Sequence, residues 1–92
     1  MSNTTLPKIV TLSDNVLSQQ INNEYVLLNM ETEQYFGLDE VGARLWELLA
    51  ENNDTEKAFI QLLTEYSVDE TILRQDIALL LAELEKEKLV TT

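Results

Sequence analysis

The sequence has no cysteine and no histidine, and only 2 of its 92 residues are glycine and 1 is proline. Without thiolate and imidazole groups, the chain lacks the usual ligands for zinc and the commonest nucleophiles and general bases. Only carboxylates are left for cations that prefer oxygen ligands. We therefore expect no metal, no cofactor and no enzymatic activity. The absence of cysteine also fits a reducing cytoplasm better than an oxidising compartment.

Basic residues are scarce as well. The 6 Lys and Arg face 17 Asp and Glu, which gives a net charge of −11. Because contact with phosphates requires a cluster of basic side chains, we expect no nucleic-acid partner. The longest apolar run, Ile77 to Ala82, is six residues, whereas a membrane span needs about 20. We expect one soluble, cytoplasmic domain without membrane contact.

The first half of the chain shows short β-type segments after a polar beginning. Residues 1–15 are polar and hold the only proline, so we predict a flexible N-terminal arm, with a weak strand signal at its end, and a domain over residues 16–90. Three segments then alternate or are rich in β-branched and aromatic residues: Val16–Ile21, Glu24–Asn29 and Gln34–Leu38. Asn22-Asn23 separates the first two, and asparagine tolerates the positive φ of a tight turn. The pattern predicts a three-stranded antiparallel meander.

After Leu38 the apolar period changes to that of a helix. Asp39 is a suitable N-cap for a helix over about 40–51, Thr55 for a second helix, and Asp69 for a third that ends near Lys86 to Lys88. The predicted fold class is therefore α+β, with a three-stranded antiparallel sheet followed by three helices.

The third predicted helix carries two apolar stripes. We predict that Leu73, Ile77, Leu80 and Leu84 form the core stripe. The second stripe, about 100° away, consists of Ile72, Asp76, Leu79 and Glu83. Its mixture of apolar and acidic side chains fits the wall of a groove for a peptide with apolar anchors and basic flanks. It fits an ordinary helix border equally well.

The third predicted strand, Gln34–Leu38, would be the edge of the sheet. It contains no charge and no proline, the residues that usually protect an edge from pairing with another chain. A partner peptide could therefore add to it as a strand. The arm, a helix or another copy of the chain could cover the same edge instead, and the residues alone do not decide between these.

A longer segment resembles a known family. Residues 34–49, QYFGLDEVGARLWELL, resemble the central signature of the PqqD-like family, in which an aromatic strand leads into Leu-Asn-x-Thr-Gly-x-x-(Ile/Leu)-Trp-x-Leu. The resemblance extends over about residues 15–90. The chain departs from the pattern at Asp39, where Asn is usual, at Val41, where Thr is usual, and at Lys88, where Gly is frequent.

The resemblance implies a winged helix-turn-helix domain that recognises the leader segment of a ribosomally synthesised precursor peptide (RiPP). In the family the leader adds to the third strand and lies against the third helix. Carried over to this sequence, the implied peptide-binding residues are Gln34, Tyr35, Phe36, Gly37, Leu38, Ile72, Asp76, Leu79, Leu80 and Glu83. The implied partner is a maturation enzyme, either a lasso peptide leader peptidase or the radical S-adenosylmethionine enzyme of pyrroloquinoline quinone synthesis.

We favour the lasso-type role, because leaders of that type often carry a Tyr-x-x-Pro anchor and nearby lysines that suit an acidic, partly aromatic groove. The first alternative is a PqqD-type chaperone that delivers a precursor peptide to the radical enzyme. Two other classes stay open: a homodimer, or another homo-oligomer, that pairs through the edge strand, and an enzyme that uses carboxylates alone.

Overall fold

The computed structural model describes residues 5–22 and 24–92, and it consists of five strands and three helices. In chain order the elements are β1 (Thr11–Leu12), β2 (Val16–Ile21), β3 (Glu24–Asn29), β4 (Gln34–Leu38), α1 (Glu40–Glu51), α2 (Thr55–Glu65), α3 (Glu70–Lys86) and β5 (Val90–Thr91). The antiparallel sheet followed by three helices is the α+β fold that the sequence pattern predicts, and it is consistent with the winged helix-turn-helix that the family resemblance implies.

The main sheet has the strand order β2-β3-β4, and all its pairings are antiparallel. A two-residue loop joins β2 to β3, since Ile21 pairs with Glu24. Asn22 in that loop has a φ of 59°, the left-handed conformation that asparagine accepts more readily than most residues. Asn23, the other residue predicted for the turn, lies outside the described residues. The observed bounds of β2, β3 and β4 are those predicted from the sequence.

Each helix begins at an aspartate whose carboxylate accepts a main-chain hydrogen bond from the first turn. These N-caps are Asp39, Asp54 and Asp69. The prediction that Thr55 caps the second helix is wrong, because Asp54 accepts from the Lys57 nitrogen and Thr55 is the first helical residue. Thr55 is fully buried instead. The Asp54 carboxylate also interacts favourably with the helix dipole, which explains why Asp54 and not Thr55 is the N-cap.

The described part of the predicted arm, residues 5–15, packs into the domain. Leu6 and Val10 are buried in the core, and β1 pairs with β5 in a second, two-stranded sheet. The Val10 nitrogen donates to the Asn53 carbonyl over 3.1 Å. Burial of two apolar side chains and main-chain pairing hold this segment, in place of the flexibility that its polar composition suggested; residues 1–4 lie outside the described residues.

The core stripe of α3 differs by one residue from the prediction. Leu73, Ile77, Leu81 and Leu84 are buried, whereas Leu80 is only half-buried. Leu80 and Leu81 lie on opposite sides of the stripe, 100° apart, so helical periodicity alone does not choose between them. Packing encloses Leu81 and leaves Leu80 on the side of Asp76 and Leu79, next to the second stripe.

The C-terminus of α3 shows why glycine is frequent in the family pattern at the position of Lys88. Lys88 follows the C-cap with a φ of 62°, the conformation for which glycine is the usual residue. The Leu89 nitrogen donates to the Leu84 carbonyl and the Lys88 nitrogen to the Glu85 carbonyl, which is the hydrogen-bond pattern of a Schellman motif.

Within the described part of the chain, no helix combines the length and apolar character needed to cross a membrane.

Candidate functional site

A groove of about 540 Å³ lies between β4, the N-terminal part of α1 and α3. Its walls are mostly apolar, and its charged lining residues are all acidic. The lining residues are Phe36, Gly37, Leu38, Asp39, Val41, Gly42, Leu45, Val68, Ile72, Leu73, Asp76, Ile77, Leu79, Leu80 and Glu83. A half-open apolar cleft with a few polar groups is the usual form of a binding site.

The structure brings eight of the ten residues implied by the family resemblance to this groove. They are Phe36, Gly37 and Leu38 on β4, and Ile72, Asp76, Leu79, Leu80 and Glu83 on α3. Gln34 and Tyr35 do not line it. Side chains alternate along a strand, so the Tyr35 side chain projects to the opposite face of the sheet from Phe36. Whether these residues bind a peptide stays a prediction.

β4 is an edge strand of the main sheet. It pairs with β3 on one side only, and its other edge faces the groove without a partner strand among the described residues. The described part of the N-terminal segment does not cover this edge, because β1 pairs with β5 instead. Main-chain N–H and C=O groups along β4 are therefore open to an additional strand.

The electrostatics of the groove are one-sided. Asp39, Asp76 and Glu83 line it. Arg74 on α3 is directed towards α2, where its guanidinium lies 4.3 Å from the centre of the Phe59 ring and binds Glu56 through two contacts of 3.1 Å. Because that cation is occupied elsewhere, the acidic groups of the groove favour a ligand with positive charge.

Close packing brings α1 near α3 at Gly42. A Cβ atom at this position would lie 3.3 Å from Leu80 Cδ2 and 3.1 Å from Asp39 Oδ1, which is tighter than ordinary van der Waals contact. The Gly42 nitrogen also donates to Asp39 Oδ1 over 2.7 Å. Glycine therefore lets the beginning of α1 approach α3 and form the floor of the groove.

Several residues that line the groove are not predicted as site residues from the sequence. Val68 is the residue with the clearest signal. It is an apolar residue, 44% exposed, in the short connection between α2 and α3, and an exposed apolar side chain in a connection indicates a contact surface. Asp39 was interpreted only as a helix cap, although the same carboxylate faces the groove. Leu73 and Ile77, which are predicted only as core residues, also line the groove, as does Leu45 of α1. In the described ranges there is no group of side chains that could hold a metal ion.

The fold and the groove define a class: a small winged-helix domain with an open sheet edge beside an acidic, apolar groove. Coenzyme PQQ synthesis protein D (PqqD) is the family whose model matches residues 24–90. Because the match spans more than half of the chain, this chain belongs to the PqqD family, as the resemblance in the sequence implied.

Two solved structures are similar to this chain. TbiB1 in complex with the TbiA(beta) leader peptide is 40% identical, with a TM-score of 0.79, and the match covers 87% of this chain and 93% of that chain. Lasso peptide synthetase B1 complexed with the leader peptide has the same TM-score of 0.79 at 23% identity, covering 90% of this chain and 98% of that chain. The second likeness supports the fold. No curated protein sequence matches the chain.

Proposed function

We propose that this protein binds the leader segment of a ribosomally synthesised precursor peptide in the groove and presents it to a maturation enzyme. The observation that carries the proposal is the edge of β4 that no described strand pairs with, and this edge faces the apolar and acidic stripe of α3 across the groove. A relative with 40% identity was solved in complex with a leader peptide. The protein acts as a recognition element and does not catalyse the maturation reaction itself.

The leader binds as an antiparallel strand against β4. Main-chain pairing supplies affinity that depends little on side chains, while pockets select particular residues. Asp76 and Glu83 are seven residues apart, about 10 Å along the helix, the length of roughly three residues of an extended strand. One short extended segment therefore reaches both acids, with an apolar side chain held between them.

The favoured partner is a lasso peptide leader peptidase. The three acids of the groove suit a leader with basic residues, and Phe36 supplies an aromatic contact for an apolar anchor. Binding takes place in the cytoplasm, where the precursor leaves the ribosome. The radical S-adenosylmethionine enzyme remains the alternative partner, and the test below applies to either.

Strand addition is tested by methylating the leader. Each main-chain nitrogen of a synthetic leader peptide from the same pathway is methylated in turn, and the Kd is measured by fluorescence anisotropy. Alternate N–H groups of an added strand point towards β4, so the Kd should rise at least tenfold at every second position and change little at the others. The protein is unaltered throughout, so loss of folding cannot mimic the result.

Proline in the edge strand is the complementary test. Phe36→Pro and Gly37→Pro each remove one donor or distort the edge. We expect at least one of these variants to keep its helices by circular dichroism and to lose most of its affinity for the leader. Two folded variants with unchanged affinity, or methylation effects without a period of two, would contradict strand addition. A wild-type dimer that sediments as a monomer after Gly37→Pro would instead support pairing of two copies through this edge.

A further inference from the structure

The face of the main sheet that points away from the helices is apolar and exposed; we call it the outer face. Its side chains alternate with those of the core, where Leu27 is completely buried. Leu17 is 44% exposed, Ile21 51%, Met30 59% and Tyr35 71%. Val26 and Leu28 lie between them, half-buried, and Gln19 and Glu24 are exposed polar residues of the same face. Neither Val26 nor Leu28 is among the side chains that pack against the hydrophobic core.

An antiparallel sheet with one solvated face normally places polar residues there. Here neighbouring strands bring Leu17, Leu28 and Tyr35 side by side, because Leu28 pairs with both of the others. Leu28, Met30, Glu33 and Tyr35 also line a shallow depression at one end of the face. A contiguous apolar patch with a polar rim is typical of a surface that contacts another protein.

The charges at the rim select the partner. Residues 16–38, which form the whole main sheet and its turns, contain Glu24, Glu31 and Glu33 but no lysine or arginine. Two copies of this chain placed face to face would bring these acids together, in a protein with a net charge of −11. Like charges across an interface oppose association. The complementary partner presents an apolar patch flanked by lysine or arginine side chains.

The outer face is continuous with the proposed leader site. Both share β4, whose Phe36 side chain faces the groove while Tyr35 projects outwards. A leader added beside β4 would extend the sheet by one strand, and every second leader side chain would project onto the outer face. Apart from Gly37 itself and its two chain neighbours, no described residue has an atom within 4 Å of where a Cβ of Gly37 would be, so the surface next to the added strand is open.

We propose that the outer face is a docking surface for the maturation enzyme, through an apolar patch of that enzyme flanked by basic residues. The bound leader extends the surface, so the enzyme recognises the protein and its leader together. This inference rests on the proposed function, since the leader must occupy the edge of β4. It adds a second interaction surface, built from residues that do not line the groove.

The test separates binding of the leader from binding of the enzyme. Leu17→Ser combined with Met30→Ser removes two exposed apolar side chains, one from β2 and one from the turn before β4, and neither residue lines the groove. Ile60→Ser, at a 58% exposed position on α2, is the matched control. Affinity for the leader is measured by fluorescence anisotropy, and affinity of each protein–leader complex for the purified leader peptidase of the same pathway by calorimetry.

We expect the double variant to bind the leader within twofold of wild type and to bind the peptidase at least tenfold more weakly. The control should match wild type in both measurements, and Glu31→Lys with Glu33→Lys should slow association with the peptidase at low salt. The leader should also raise the affinity of the wild-type protein for the peptidase.

Three results would overturn the docking surface while leaving recognition of the leader intact. The first is a double variant that binds both leader and peptidase like wild type. The second is a wild-type protein–leader complex that does not bind the peptidase. The third is a wild-type dimer in sedimentation that the double variant abolishes, which would assign the face to a second copy. Failure of the wild-type protein to bind the leader would instead contradict the proposed function.

Discussion

The side-chain amide of Asn29, the last residue of β3, donates a hydrogen bond across 3.1 Å to the main-chain carbonyl oxygen of Glu87, at the end of α3. Asn29 is 3% exposed. Its Oδ1 accepts from the nitrogens of Glu31 and Thr32, at 2.9 and 3.2 Å, in the turn that leads to β4. One side chain thus ties both walls of the groove together, since β4 forms one wall and α3 the other.

Removal of this link should destabilise the protein and loosen the groove. Asn29→Ala removes the three hydrogen bonds of a buried side chain, two with main-chain nitrogens and one with a main-chain carbonyl, so we expect the free energy of unfolding to fall by about 1–3 kcal/mol. Urea denaturation measures the loss. Asn15→Ala is the control, because Asn15 is exposed and its main-chain carbonyl accepts the bond from the Met30 nitrogen. Equal stability of both variants would show that the bond to Glu87 does not hold the hairpin.

The acids of the groove should act on the rate of association with the leader. Asp76→Lys with Glu83→Lys reverses two charges in a half-open site, so association with a basic leader should slow and its salt dependence should decrease. Stopped-flow kinetics at two salt concentrations measure both quantities. Asp14→Lys with Glu51→Lys changes the net charge equally, at exposed positions that do not line the groove. If the two double variants behave alike, the acids have no local role.

Leu79 should act on dissociation instead. It is 67% exposed on α3 and lines the groove, the position expected for a contact with an apolar anchor of the leader. Leu79→Ala should weaken binding by roughly 1 kcal/mol, about fivefold, almost entirely through faster dissociation. Ile60→Ala, a similarly exposed apolar residue outside the groove, should leave dissociation unchanged. A Leu79→Ala protein that releases the leader at the wild-type rate would show that this side chain faces solvent in the complex.

The ion pair between α1 and α2 predicts an acid-dependent part of the stability. Arg44 contacts both carboxylate oxygens of Glu65 at 2.8 Å, and Gln61 donates to one of them at 2.8 Å. These hydrogen bonds, that from Arg44 foremost, lower the pKa of Glu65 from 4.5 to about 2. A pKa lowered by folding contributes stability that is complete above about pH 4.5 and is lost as the pH falls towards 2.

Carbon-detected titration of the Glu65 carboxyl group measures this pKa directly. Arg44→Met should return it towards 4.5 and remove the corresponding slope of stability against pH. A wild-type Glu65 that titrates at its ordinary value would show that the bidentate contact does not persist in solution.

Lys88 should be replaceable by glycine with a gain in stability. Its φ of 62° costs a residue with a Cβ about 1 kcal/mol relative to glycine. Lys88→Gly should therefore raise the free energy of unfolding by roughly 0.5–1 kcal/mol. Lys86→Gly removes the same charge from the last helical residue and should lower stability instead. Thermal unfolding of both variants checks the opposite signs.

The sequence by itself determined the three strands of the main sheet, the three helices and their order. Alternation and aromatic content defined β2, β3 and β4, because side chains along a strand point alternately to the buried and the exposed face, which gives the apolar pattern a period of two residues. Aspartates followed by a period of 3.6 defined the three helices. The signature around Gly42 and Trp46 identified the family, and with it eight of the residues that meet in the groove.

The tertiary structure decided which of these features face one another. Leu81 rather than Leu80 entered the core because two side chains 100° apart are distinguished only by what packs against the helix. The pairing of β1 with β5, and the bond from Asn29 to Glu87, join residues 58 or more positions apart. Such contacts produce no periodic pattern in the sequence of either segment, because each contact is favourable only after packing has brought the two segments together.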